Sequence, residues 1–108
     1  MDARVPVVFA DAAAAGPEDA LLIEGDAPAP AGRALARFAA GPLRWHAAGC
    51  ACCVPRAAVA AALGRLYVAR ARGEVGYFRR VVAVVQDADA IRAALAEDRL
   101  AAGRFRLG

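Results

Sequence analysis

The sequence predicts a small α/β domain, a mostly parallel sheet of about four strands flanked by helices. Short β-rich apolar runs alternate with helical segments along the chain. One run, Arg79 to Gln86 (RRVVAVVQ), is almost continuously apolar, as in a strand buried on both faces of a parallel sheet. With 108 residues, 60% of them hydrophobic, the chain can build one core, and residues 1–108 read as a single domain. No internal repeat or long linker divides it.

Each element has its own signal. Val5 to Ala10 (VPVVFA) is a first strand ending in a small-residue loop, and Ala20 to Glu24 (ALLIE) is a second apolar run. The loop Gly25 to Pro30 holds two prolines and ends where a helix can begin. From Ala31 to Ala40, Leu35, Phe38 and Ala39 fall on one side and Arg33 and Arg37 on another, which predicts an amphipathic helix closed by Gly41-Pro42. Leu43 to Ala48 (LRWHAA) reads as a strand running into a cysteine-rich turn. Pro55 opens the longest helix, to about Arg72, with Val59, Leu63, Leu66 and Tyr67 at core spacing and Gly73 as its stop. After the strand at Arg79 to Gln86, Asp87 or Asp89 can cap a last helix through Ala96, with Ile91 and Leu95 inward. A tail with Phe105 and Leu107 follows.

Composition excludes several function classes. No apolar run is long enough to span a bilayer, and the start MDARVPVVFAD lacks a basic segment ahead of a long apolar one. The expectation is a cytoplasmic protein with no membrane partner. The net charge of +3 comes from arginine alone, without lysine. Those arginines are spread over most segments instead of forming a basic stripe interleaved with aromatics, so they read as solvated helix faces and no nucleic acid is expected.

The chemistry concentrates at Gly49 to Arg56, GCACCVPR, which packs all three cysteines into four positions. An odd count at Cys-X-Cys-Cys spacing does not suit an extracellular disulfide framework, and a bridge between adjacent Cys52 and Cys53 would be strained. In a parallel sheet ligands gather at the carboxyl ends of the strands, where this turn is predicted to lie. The following helix would aim its amide groups and positive dipole end at the thiols and favour thiolate. Clustered thiolates repel unless a cation sits between them, and a soft divalent ion fits: zinc, or cobalt in its place. Cys50, Cys52 and Cys53 are the candidate ligands, and zinc prefers a fourth. His46, four residues before Cys50, is the first candidate for it. A lone histidine in a strand after Trp45, however, is more often a packed or surface residue than a ligand. Asp11, Glu24 and Asp87, at predicted strand ends, are weaker candidates. Buried or redox-active thiols are the alternative reading of the cysteines, although Cys-X-Cys-Cys lacks the Cys-X-X-Cys spacing of thioredoxin-like motifs.

GCACC followed by a helix, then Ala71-Arg72-Gly73-Glu74 and Phe78-Arg79-Arg80-Val81-Val82, resembles the middle of the CobW-type family of metal-chaperone P-loop GTPases. That family carries a Gly-Cys-X-Cys-Cys motif, an amphipathic helix, a basic-Gly-Glu turn and an apolar strand in this order. Ala94 to Asp98 through Phe105-Arg106-Leu107 is similar to its next helix and strand approach, so the resemblance covers about residues 43–108.

The first half matches in frame and departs in chemistry. Pro6-Val7 and Leu21-Leu22 stand at the separation at which the family places its Walker A loop. Between them the chain reads AAAAGPEDA over Ala12 to Ala20. A phosphate cradle needs glycine flexibility, successive N–H donors, a lysine for the phosphates and a hydroxyl for magnesium. Here one of three glycines remains, proline stands where an N–H is wanted, and Glu18 replaces the lysine. Val84-Val85-Gln86-Asp87 stands in place of the family's Glu-Thr-Thr-Gly, and neither an Asn-Lys-X-Asp motif nor the family's C-terminal domain is present.

The resemblance therefore implies a reduced P-loop GTPase-like fold that neither binds GTP in the family's manner nor hydrolyses it, hence no enzyme and no nucleotide cofactor. With the phosphate loop lost, any metal would bind constitutively. Two functions remain. One is a non-catalytic domain that stores, hands over or senses zinc, with a second copy of the chain or a metal-receiving protein as partner. The other is a metal-free degenerate GTPase fold acting as an interaction or structural module.

Overall fold

The computed structural model describes residues 3–38, 53–86 and 88–108, with the backbone alone for 53–56. The strands are β1 (Val5–Phe9), β2 (Asp19–Glu24), β3 (Leu35–Phe38), β4 (Arg80–Val84) and β5 (Phe105–Leu107). The helices are α1 (Cys53–Ala71), α2 (Ala88–Glu97) and α3 (Arg99–Arg104), and a three-residue 3-10 turn covers Ala12–Ala14. All five strands are parallel, in the order β3-β2-β4-β1-β5. This is an α/β fold, with five strands among the described residues where about four are expected for the whole chain.

Strict alternation along the strands divides the sheet into two faces. Val5 and Val7 of β1, Ala20 and Leu22 of β2, Ala36 and Phe38 of β3, Val81 and Ala83 of β4 and Phe105 of β5 belong to one core. They pack there with Val59 and Leu63 of α1, Ile91 and Ala94 of α2 and Ala101 of α3. Leu21, Ile23 and Val82 point to the other face, where Ala15, Ala12 and Ala29 of two connecting segments cover them. Among the described residues the three α-helices thus lie on one face, and the 3-10 turn and loop chain cover the centre of the other. Burial on both faces explains why β2 and β4 read as continuous apolar runs.

Two expectations are corrected. Leu35 to Phe38 is strand and not helix, because Leu21 to Glu24 of β2 offers a parallel ladder whose partners run from Leu35 to Phe38. The alternating exposure of Leu35, Ala36, Arg37 and Phe38 follows a period of two. The i, i+3 spacing of Leu35 and Phe38 suggests a helix only because it also fits one helical turn. The second correction concerns the tail, where the chain forms a further helix, α3, and an edge strand, β5. Asp98 caps α3 by accepting from the Ala101 N–H at 2.9 Å. Phe105 is fully buried against Tyr67, ring edge to face, at 6.1 Å. The strand expected at Leu43 to Ala48 lies outside the described residues.

The long helix begins at Cys53, two residues before the expected start, with Pro55 inside its first turn, where a missing N–H costs little. Its end is as expected. Gly73 adopts φ 73°, its N–H reaches the Arg70 carbonyl, and the Glu74 N–H reaches back to the Ala69 carbonyl at 2.9 Å. This pair of bonds is a Schellman stop, which calls for glycine at the left-handed position.

Candidate functional site at the carboxyl edge of the sheet

Chain direction sets where the cysteine segment enters the fold. α1 joins the end of β3 to the start of β4, and these strands are parallel, so the helix must run back against the sheet. Leu35, at the amino end of β3, shares a groove with Arg65, Val68 and Ala69 of the later half of α1, as this direction requires. The beginning of α1, at Cys53, is therefore directed toward the carboxyl edge. Cys53 opens α1 and so lies on the helix, where the sequence places it in a turn. Cys50, Cys52 and His46 lie outside the described residues, as does Asp87.

The described part of that edge is organised by polar contacts between strand ends. Glu24 closes β2, and its Oε1 accepts the Gln86 N–H at 2.8 Å, tying the end of β2 to the segment that leaves β4. Gly25 then turns the chain at φ 86°, and its N–H extends the ladder to the Phe38 carbonyl. Arg37 holds the loop after this turn, with Nη1 donating to the carbonyls of Gly25 at 3.0 Å and Ala27 at 2.8 Å. Asp11 stands at the start of the 3-10 turn after β1 without making a side-chain cap bond to it. Since β4 lies between β2 and β1, Glu24 and Asp11 flank the end of the central strand. Among the described residues, no group of three or more histidine, cysteine or acidic side chains is arranged to hold a metal ion.

The segment between β1 and β2 does not have the shape of a phosphate loop. A P-loop runs from a strand through its glycines into a helix. Here the 3-10 turn is the only helical piece between β1 and β2, and Leu21 and Leu22 are fully buried in β2. The Gly16 N–H donates to Asp19 Oδ2 at 2.8 Å, so the amide of the one remaining glycine already serves an anion of the chain itself. Glu18 pairs at the surface with Arg79 at 2.9 Å.

Sequence reasoning missed the roles of Arg37 and Gln86, and it missed the pair Asp19 and Arg80 at the opposite edge. Arg37 reads as the polar side of a helix until β3 is known to be a strand. Asp19 and Arg80 are the first residues of two strands with opposite charges, a signal that gains meaning only once β2 and β4 are neighbours. No protein-family model, curated protein or solved structure matches this chain.

Proposed function

We propose that the protein is a non-catalytic CobW-like domain that binds a soft divalent cation, zinc first and cobalt second, through Cys50, Cys52 and Cys53, for metal handling or sensing. The observation that carries this reading is that Cys53 begins a helix directed to the carboxyl edge of a parallel sheet, with Cys50 and Cys52 immediately before it. The helix N-terminus favours thiolate, and three thiolates in four positions form a donor set suited to zinc. The ion is cargo or signal, held as a thiolate complex. His46 is the first candidate for a fourth ligand, with Asp11, Glu24 and Asp87 behind it. Glu24 is the least suited of the carboxylates, because one oxygen is already engaged by the Gln86 amide. Nucleotide plays no part in this reading: Gly16 and Glu18 are committed to Asp19 and Arg79, and no helix follows them to receive a phosphate.

Elemental mass spectrometry of protein purified without chelator, beside a Cys50, Cys52 and Cys53 to serine triple variant, tests the proposal. About one zinc or cobalt per chain or per dimer, absent from the variant, is the expected result. Metal-free protein that takes up no added zinc under reducing conditions would overturn it. A metal-free interaction module is the second reading, and the apolar outer surface of α1 favours it.

A further inference from the structure

From Ala57 to Gly64, α1 reads AAVAAALG, without a polar side chain in any direction. Its inner side is accounted for, since Val59, Ala62 and Leu63 are buried against the sheet. The outer side is no more polar: Ala57 and Ala61 are exposed, and Ala60 and Gly64 are half-buried. A helix that is apolar all round is ordinarily covered all round. By contrast, α2 turns Asp89, Arg92 and Glu97 outward.

Two grooves border this outer surface among the described residues. One, of about 530 Å³, lies toward β3 and contains Leu35 and Val68, each 41% exposed. The other, of about 390 Å³, lies toward α3 and contains Leu100, 65% exposed. Gly64 lines both, and an added Cβ there would meet nothing within 4 Å, so the two grooves border the same open turn of the helix. The result is one apolar band and not scattered exposed side chains, the arrangement that marks an interaction surface.

The charges along the band identify the partner. Arg65 and Glu74 line the first groove, and Asp98 and Arg104 line the second. Each groove therefore carries one cation and one anion, although the chain as a whole is basic at +3. A balanced pair of each sign around an apolar centre is complementary to itself, because a two-fold copy can set arginine against carboxylate. A uniformly acidic or basic partner would meet repulsion from one of the two charges in each groove and gain nothing net from the pair. We propose that this outer face of α1 is the interface of a homodimer, with a second copy of the chain covering both grooves. This interface does not rest on the metal reading of the cysteines.

Sedimentation velocity on the full chain, from about 1 to about 100 µM, tests this. Wild type is expected to shift from monomer to dimer within that range. Gly64→Arg places a long charged side chain in open space on a helix that it does not strain, and Leu100→Ser removes the most exposed leucine of the band. Both should raise the dissociation constant at least about tenfold, with circular dichroism and monomer mass unchanged. A wild type that stays monomeric throughout, or variants that dimerise as wild type does, would overturn the proposal. The triple cysteine-to-serine variant should dimerise like wild type, and its failure to do so would replace this interface with a metal-bridged one.

Discussion

Arg80 grips Asp19 with two hydrogen bonds, Nη2 to Oδ2 at 2.6 Å and Nε to Oδ1 at 3.2 Å, across the first register pair of β2 and β4. The residues are 61 positions apart in sequence. Their contact pins the register of the two central strands, where a slip by one residue would turn Leu22 and Val81 to the wrong face. Oδ2 also accepts the Gly16 N–H, so the pair fixes the entry to β2 as well.

A pH dependence follows. The Arg80 hydrogen bond holds the Asp19 carboxyl below its ordinary value of 3.8, against an opposing effect of burial and with help from the Gly16 amide. A carboxyl whose folded value is depressed stabilises the fold above the unfolded value, and that contribution is lost as pH falls through the folded value. Asp19→Asn should therefore cost about 1–3 kcal/mol at neutral pH. The gap to wild type should close as unfolding is measured at successively lower pH below 3.8. Arg80 is 42% exposed, so solvent screening keeps the effect at the lower end. A gap that stays constant down to strong acid would show that the pair does not act through charge.

Gly73→Ala forces a Cβ onto φ 73° at the stop of α1. The expected loss is about 1–2 kcal/mol, and urea unfolding should show it as a lower midpoint with an unchanged slope. Gly64→Ala, inside the same helix, should change stability in the opposite direction, because glycine there meets only its propensity penalty.

Asp98→Ala removes the cap that accepts from Ala101. It should cost about 1 kcal/mol, and Asp98→Ser should recover most of it. Thermal unfolding of both variants distinguishes capping from a general effect of charge.

Leu63 and Ile91 are fully buried where α1 and α2 meet the sheet. Either change to alanine should cost about 2–5 kcal/mol, whereas Val68→Ala on the exposed face should leave monomer stability within about 0.5 kcal/mol. Equal losses at Leu63 and Val68, measured by chemical denaturation, would contradict the assignment of inner and outer faces.

At the edge of the sheet, Arg65 Nη2 donates to the Arg37 carbonyl at 2.8 Å and occupies a β3 acceptor that would otherwise be open to another strand. Arg65→Ala should lower stability to urea by no more than about 1 kcal/mol for this one exposed bond, and, because Arg65 also lines the proposed dimer face, it should weaken association and not strengthen it.

Much of the fold was legible because apolar periodicity is local. Val59, Leu63 and Leu66 announce α1 at helical spacing, and Gly73 announces its end. The unbroken run from Val81 to Val85 announces a strand covered on both faces. The candidate metal site was legible only as chemistry: three thiols in four positions and a helix after them. The organisation of the described carboxyl edge by Arg37, Glu24 and Gln86 was hidden, since each acts on a strand or loop that is near in space and distant in sequence.

The sequence by itself determined the element types wherever one period dominated a long enough run, together with the cysteine cluster and the long helix after it, expected from Pro55 and begun at Cys53. Tertiary structure decided the rest. Four residues from Leu35 to Phe38 satisfy one helical turn as well as a strand, and the open ladder of β2 made them a strand. The order of the strands, with β4 between β2 and β1, came from burying both faces of the most apolar run at the centre. That placement is a property of the whole sheet, and no local window of the chain contains it.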